Sequence, residues 1–121
     1  MNTKGKRLSE APVDKELEKI IAKAIVGNNT FAFSDGSEYI GEWLEVDGVK
    51  LRCGTGIFKY GPEEYNGNWQ NDQMCGKGVY KFASGAVYEG NFIGNLFDGY
   101  GEYRFPDGAV YRYITQLITI H

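Results

Sequence analysis

From residue 39 to residue 105 the chain alternates aromatic residues and glycines with polar residues. A unit of aromatic, glycine and second aromatic, each separated by one residue, recurs at Tyr39–Trp43, Tyr65–Trp69 and Tyr88–Phe92. Each unit is followed by two glycines one residue apart and then by two more aromatics. Because alternate residues of a strand point to the same face, this period predicts strands with one aromatic face and one polar face.

Turn-forming residues separate these predicted strands. Asn71-Asp72 follows the second unit and Gly94-Asn95 follows the third, each before the glycine pair of that repeat. Segments such as Pro106–Gly108 lie between one repeat and the next. The pattern predicts a mainly β fold, a single-layer twisted antiparallel sheet of consecutive hairpins. The predicted strands are Phe31–Phe33, Tyr39–Leu44, Thr55–Tyr60, Tyr65–Gln70, Gly78–Phe82, Tyr88–Ile93, Gly101–Phe105 and Tyr111–Ile118.

The first unit departs from the others. It has four extra residues between Trp43 and Gly54 relative to the second unit. We expect these residues to form a protruding hairpin loop.

The repeated unit resembles the MORN repeat, the membrane occupation and recognition nexus. The resemblance covers residues 29–113, as about three repeats after a leading half repeat at Phe31–Gly36. It implies a non-catalytic protein-interaction module, a small cytoplasmic adaptor at membrane or cytoskeletal structures. By analogy with small animal members of the family, it also suggests germ cells or vesicle traffic as the context.

The aromatic face supplies the candidate site residues. Glycine inside a strand leaves room for a ring from a neighbouring strand, so we expect structural roles for Tyr39, Gly41, Trp43, Gly67, Trp69 and Gly90. A half-wet surface suits tyrosine, so we expect partner contacts along the second and third repeats from Tyr65, Tyr80, Phe82, Tyr88, Phe92, Tyr103 and Phe105. The alternative is that these rings pack on one another and leave only their edges accessible.

The N-terminal region has a different period. After a basic tail at residues 1–13, which we expect to be flexible, apolar residues from Leu17 to Ile25 recur with helical spacing. They predict an amphipathic helix over residues 14–27 that ends at Gly27. This helix either caps one end of the sheet or lies on the aromatic face and competes with partners.

The C-terminal segment, residues 114–121, is almost uncharged and reads as a divergent last strand with an unprotected edge. Another chain covers this edge, or the segment folds back, or it is a variant end. A homodimer through residues 111–120 is therefore one hypothesis.

Charge narrows the class of partner. Residues 28–121 carry seven Lys and Arg against twelve Asp and Glu. Phosphate groups are bound by clustered cations, so we expect no nucleic-acid binding and weak or no binding of membrane lipid. A peripheral phospholipid-binding protein stays as the alternative function.

The sequence offers no catalytic constellation. Its single histidine is the terminal His121, which argues against a Ser/His/Asp or Cys/His arrangement and against a zinc site. We expect no enzymatic activity, no cofactor and no metal, with Cys53 and Cys75 as free thiols. Without an apolar run that could span a membrane or act as a signal peptide, the expected location is the cytoplasm, in contact with vesicles or the cytoskeleton.

Overall fold

The computed structural model describes residues 15–16, 25–112 and 118–119. These residues form one open antiparallel sheet in which β1 to β8 follow one another in chain order and β9 lies beside β7. The mainly β fold is therefore confirmed. The strands are β1 (Ile25–Ala32), β2 (Glu38–Val46), β3 (Val49–Tyr60), β4 (Glu63–Gln70), β5 (Gln73–Lys81), β6 (Val87–Ile93), β7 (Leu96–Arg104), β8 (Val110–Arg112) and β9 (Ile118–Thr119).

The glycines of successive strands lie side by side across the sheet. The register places Gly56 opposite Gly41 and Gly67, and Gly78 opposite Gly67 and Gly90. This glycine row leaves the space that the tyrosine rings occupy. A methyl group added at Gly78 would come within 2.4 Å of the Tyr65 hydroxyl oxygen. Tyr39 lies in the same way over Gly56, and Tyr88 over Gly101.

Each of these tyrosines also satisfies a backbone carbonyl. The hydroxyl groups of Tyr39, Tyr65 and Tyr88 donate to the carbonyl oxygens of Glu42 (2.6 Å), Asn68 (2.8 Å) and Asn91 (2.9 Å) respectively. At the same place the strand register shifts, as at a β-bulge. The tyrosine thus fills the glycine row with its ring and caps the irregularity with its hydroxyl.

The two glycines of each pair are required for different structural reasons. The second glycine, for example Gly78, belongs to the glycine row. The first, for example Gly76 with φ of 80°, has the left-handed backbone conformation that glycine adopts without penalty. Its place opposite the shifted register explains why it is needed there.

The turns of the three hairpins share one geometry. Both central residues have positive φ in Asp47-Gly48, Asn71-Asp72 and Gly94-Asn95, as in a type I′ turn. In each of the later two turns, the second residue also forms hydrogen bonds with the preceding hairpin. The Asp72 N–H donates to the Arg52 carbonyl (3.0 Å), and the Arg52 N–H donates to Asp72 Oδ1 (3.0 Å). Asn95 makes the equivalent pair of bonds with Met74.

The four extra residues of the first unit form strand rather than a protruding loop. They add two facing pairs to the ladder between β2 and β3, and Val46 faces Val49 next to the two-residue turn. The longer β2 also offers partners to the chain before it. Ile25 faces Glu45 and Val26 faces Leu44.

This pairing corrects the predicted end of the N-terminal helix. Residues 15–16 are helical, and residue 14 and residues 17–24 lie outside the described residues. Ile25, Val26 and Gly27 belong to β1, so the helix does not extend to Gly27. Ile25 and Val26 are β-branched and favour a strand, and Gly27 lets the Trp43 ring approach. The basic tail at residues 1–13 is also outside the described residues.

The last predicted strand is present in two pieces. β8 pairs with residues 102–104 of β7, and β9 pairs with Leu96 and Phe97 of the same strand. The tail therefore continues along β7 at these positions, and residues 113–117, 120 and 121 lie outside the described part.

The glycine row gives a first prediction. Gly67→Ala is expected to lower the free energy of unfolding by about 3 kcal/mol, because the new methyl group would meet Gly78 Cα at 2.4 Å. Gly108→Ala is the control, since its surroundings are open and only its φ of 97° opposes alanine. We expect a cost of about 1–2 kcal/mol there. Chemical denaturation measures both, and equal costs would contradict the role of the glycine row.

The two tryptophans give a second prediction. Trp69 is 5% exposed and packs edge-on against Tyr39 and Tyr65, so Trp69→Ala should cost about 3–5 kcal/mol. Trp43 is half-buried, so Trp43→Ala should cost about 1–2 kcal/mol. Thermal and denaturant melts of the two variants test the order. A larger loss at Trp43 would show that the first repeat, not the second, holds the sheet together.

Candidate functional site

An open groove on the aromatic face is the candidate site. It lies at the first repeat and has a volume of about 490 Å³. Strands β1 to β3 and the turns next to them supply most of its lining. The residues that line it are Phe31, Phe33, Asp35, Ser37, Tyr39, Trp43, Lys50, Leu51, Arg52, Phe58 and Asp72.

Phe31 and Trp43 form the wall beside β1. Their rings meet edge to face at a centroid distance of 6.2 Å. The Trp43 indole N–H donates to Asn29 Oδ1 at 2.8 Å, and the Lys50 ammonium lies 5.2 Å from the ring centroid. The hydrogen bond and the two ring contacts fix the orientation of Trp43, so this wall is pre-organised.

Arg52 lies where the other hairpins carry an apolar residue. It faces Trp43, as Met74 faces Trp69 and Phe97 faces Phe92. Its guanidinium group lies 4.3 Å from the centroid of a Trp69 ring and donates to Asp72 Oδ1 at 2.8 Å. The groove therefore contains a cation that stacks on an aromatic ring and is neutralised by a carboxylate.

The same contact explains the acidity of Asp72. Partial burial acts to raise the pKa of its carboxyl group, but the hydrogen bonds and the charge of Arg52 outweigh burial and lower that pKa below its usual value. Asp72 is therefore ionised at neutral pH and holds Arg52 in place. Lys50 is likewise paired, with Glu45 at 3.2 Å.

Most of the predicted partner contacts are not accessible. Tyr65, Tyr80, Tyr88 and Phe92 are all buried in the ring cluster, so the expectation of an open aromatic surface at these four positions is wrong. The hydroxyl groups of the three tyrosines have partners inside the protein, since Tyr80 donates to Glu63 Oε1 at 2.8 Å and Tyr65 and Tyr88 donate to carbonyls. The physical reason is that the glycine row lets the Tyr65 and Tyr88 rings lie against the backbone, and Tyr80 and Phe92 pack on these two rings.

Three predicted contacts keep accessible surface. Phe82 and Tyr103 are half-buried and Phe105 is exposed, and the three rings form a chain of contacts toward the C-terminal end of the sheet. Their role in binding a partner stays a prediction. Of the residues predicted to have structural roles, Tyr39, Gly41 and Trp69 are buried and Gly67, Gly90 and Trp43 are half-buried. Their structural roles stay a prediction.

Sequence reasoning did not single out Phe31, Phe33 or Arg52 as site residues. Phe33 is the repeat equivalent of Phe82 and Phe105, as the shared turn hydrogen bonds show. An alignment of the three hairpins distinguishes Arg52, because the first hairpin has a cation at the position where the later two have Met74 and Phe97. Phe31 precedes the first full repeat, so only the extra strand β1 brings it into the groove.

The polar face carries charges of alternating sign. Glu38 faces Lys59, Lys59 faces Glu64, and Glu64 faces Lys81 across four neighbouring strands. Opposite charges on facing residues stabilise a sheet modestly and leave no concentrated field. This row therefore contains no cluster of cations that could bind an anionic surface.

Comparisons with known proteins agree with the repeat. Residues 65–87 and 88–110 match the MORN repeat model, and no curated protein sequence matches the chain significantly. MORN repeats are generally modules for protein or membrane interaction and are generally non-catalytic. The described residues contain no group of three or more metal-ligating side chains. In the same part of the chain, no helix has the length and hydropathy needed to cross a membrane.

The buried tyrosines give a third prediction. Burial raises the pKa of Tyr39 to about 12 and also raises the pKa values of Tyr65, Tyr80 and Tyr88 above their usual value. Because folding favours the neutral phenol, the stabilisation is fully present below the unfolded pKa of about 10 and is lost as the pH rises through the folded values. We expect the free energy of unfolding to fall steeply above about pH 10.

Denaturant melts at increasing pH measure this dependence. Tyr65→Phe should reduce the slope, because one buried group no longer titrates. Tyr60→Phe removes a hydroxyl from an exposed side chain and is the control. An unchanged slope in Tyr65→Phe would show that this phenol ionises without unfolding the sheet.

Proposed function

We propose that this protein is a non-catalytic interaction module that binds a segment of another protein in the groove of the first repeat. The observation that carries the proposal is the open aromatic lining of that groove. Phe33 is 46% exposed at its rim, and Trp43 and Phe58 are only half-buried within it. Accessible aromatic rings around a pocket are favoured anchors for a partner.

The chemistry of the groove indicates the kind of segment that fits. Its rings suit one or two apolar or aromatic side chains. The paired charges at Arg52–Asp72 and Lys50–Glu45 can exchange hydrogen bonds with the backbone of the bound segment. The net charge of −5 over residues 28–121, seven cations against twelve anions, favours a segment with basic flanks.

The biological setting is a finer hypothesis. The MORN resemblance suggests a small cytoplasmic adaptor at membrane or cytoskeletal structures, with germ cells or vesicle traffic as the context. The segment from Cys75 to Tyr111 resembles MORN repeat-containing protein two, which belongs to this same hypothesis.

A peripheral phospholipid-binding protein is the second candidate. The alternating charges on the polar face disfavour it, because anionic lipid is attracted by clusters of Lys and Arg. A structural subunit that dimerises through its C-terminal edge is the third. Arg112, exposed on that edge and paired with Glu102 at 3.0 Å, disfavours close strand pairing there.

The groove gives a fourth prediction. Phe33→Ala should reduce capture of the native protein partner at least tenfold, because it removes the most exposed ring of the groove. Phe105→Ala is the matched variant, since Phe105 holds the equivalent place at the other end of the sheet and makes the same turn hydrogen bonds. Quantitative pull-down from cell lysate, with both variants checked by thermal melts, measures the effect.

The outcomes separate the candidate sites and functions. Loss of capture only in Phe105→Ala would place the partner on the predicted C-terminal aromatics Phe82, Tyr103 and Phe105. Undiminished capture in both variants would exclude these two ends of the aromatic face. Salt-sensitive co-sedimentation with phosphoinositide liposomes, absent after removal of residues 1–10, would support the lipid-binding candidate instead.

A further inference from the structure

In the part of the chain that the structure describes, strand β1 forms an edge of the sheet whose own residues carry none of the usual protection against pairing. Among the described residues it has one neighbouring strand, β2, and its other side faces no strand. Its eight residues, Ile25 to Ala32, include no charged residue and no proline. Its register with β2 runs without a bulge. Natural edge strands are kept apart by short length, charge, proline or bulges, and β1 has none of these.

The opposite edge differs in each respect. β8 has three residues and β9 has two. Glu102 faces Arg112 and Phe97 faces Ile118, so the register with β7 shifts by one residue between β8 and β9. Arg112 adds a charge to β8. Of the two edges, β1 is therefore the one built for continuous pairing.

We propose that β1 pairs with β1 of a second copy of this chain in an antiparallel arrangement, so that two sheets join into one. The backbone groups on the outer side of β1 then find partners, as in other cases of strand addition to a sheet edge. Exposed apolar side chains on the edge, Val26 at 73% and Ile25 at 55%, lose contact with water in the same step. A second copy satisfies both needs with one symmetric contact.

Symmetry restricts the register. Antiparallel pairing of a strand with its own copy places a two-fold axis perpendicular to the sheet, so each face of one copy continues the same face of the other. Facing residues must lie on the same face and therefore have residue numbers of the same parity. The register nearest the middle of β1 then has either Asn28 or Asn29 facing its own equivalent, and seven of the eight residues are paired.

This arrangement brings two grooves together. Phe31 and Asn29, which contact Trp43, belong to β1, so the groove of each copy would begin next to the shared edge. The pairing does not depend on what the groove binds. A dimer would, however, present two neighbouring sites and increase the avidity for a partner that has two binding segments.

The oligomeric state of the full chain tests the proposal. Size-exclusion chromatography with light scattering, over a range of protein concentrations, should show a monomer–dimer equilibrium. The double variant Val26→Lys and Asn28→Lys places two charges on exposed side chains of β1 and should raise the dimer dissociation constant at least tenfold. Ala109→Lys and Val110→Lys place two charges on exposed residues at the other edge and should leave the constant unchanged.

A cross-link gives a second measurement that does not depend on weakening the dimer. In a background with both native cysteines replaced by serine, Asn28→Cys or Asn29→Cys should form a disulfide-linked dimer under oxidising conditions. Facing Cα atoms in an antiparallel pair lie about 4.5–5.5 Å apart, within disulfide range. Val110→Cys is the control: its cysteine lies at the other edge, so this variant should form no disulfide-linked dimer under the same conditions.

Several results would overturn the proposal. A monomer at every concentration with no cross-link at residue 28 or 29 excludes it. Loss of the dimer only in the Ala109→Lys and Val110→Lys variant would assign the contact to the C-terminal edge. Growth beyond a dimer into filaments would show head-to-tail pairing of the two different edges.

Discussion

The tyrosine that lies across the glycine row is the interaction on which the rest of the structure depends. The described residues form a single sheet and no second layer, so burial among them has to come from rings that lie against the backbone itself. Tyr65 does this at 0% exposure, with its ring over Gly78 and its hydroxyl on the Asn68 carbonyl. Phenylalanine could supply the ring but would leave that carbonyl without its partner, and an unsatisfied buried polar group costs about 1–3 kcal/mol. The ring therefore requires the glycines, and the bulge carbonyl requires the hydroxyl.

The hairpins are connected to each other by a second interaction at the turns. Asp72 and Asn95 each have positive φ, and each exchanges two hydrogen bonds with the backbone of the hairpin before it. The turn residue thus serves its own hairpin and fixes the next one in register. In the first hairpin the equivalent position is Gly48, which has no side chain, and no hairpin of this type precedes it within residues 25–112. The connection between repeats consequently begins at Arg52 and Asp72, beside the groove.

Much of the sheet could be predicted from the sequence because the aromatic–glycine alternation has the period of a strand and recurs with strong turn residues between copies. Tyr39, Tyr65 and Tyr88 were placed on the correct face for this reason. The depth of burial was not predictable from the period, since alternation gives the face of a ring but not whether neighbouring rings cover it. This is why Tyr80 and Tyr88 looked like contacts for a partner. The start of β1 at Ile25 was missed because it depends on the lengthened β2, whereas the apolar spacing before it matched a helix.

The side chains of the first repeat are packed less tightly than those of the later repeats, and this difference creates the groove. In the third repeat Phe97 stacks on Tyr88 at 3.9 Å, and in the second Met74 is buried beside Trp69. Arg52 takes that position in the first repeat, and its charge keeps it partly in water, paired with Asp72 at the surface. A guanidinium group stacked on Trp69 cannot seal the ring cluster as an apolar side chain does, so Phe33, Trp43 and Phe58 keep accessible area. Arg52, in place of an apolar residue, thus reduces the burial of the first repeat. It also leaves aromatic surface exposed there, from which a binding site can be formed.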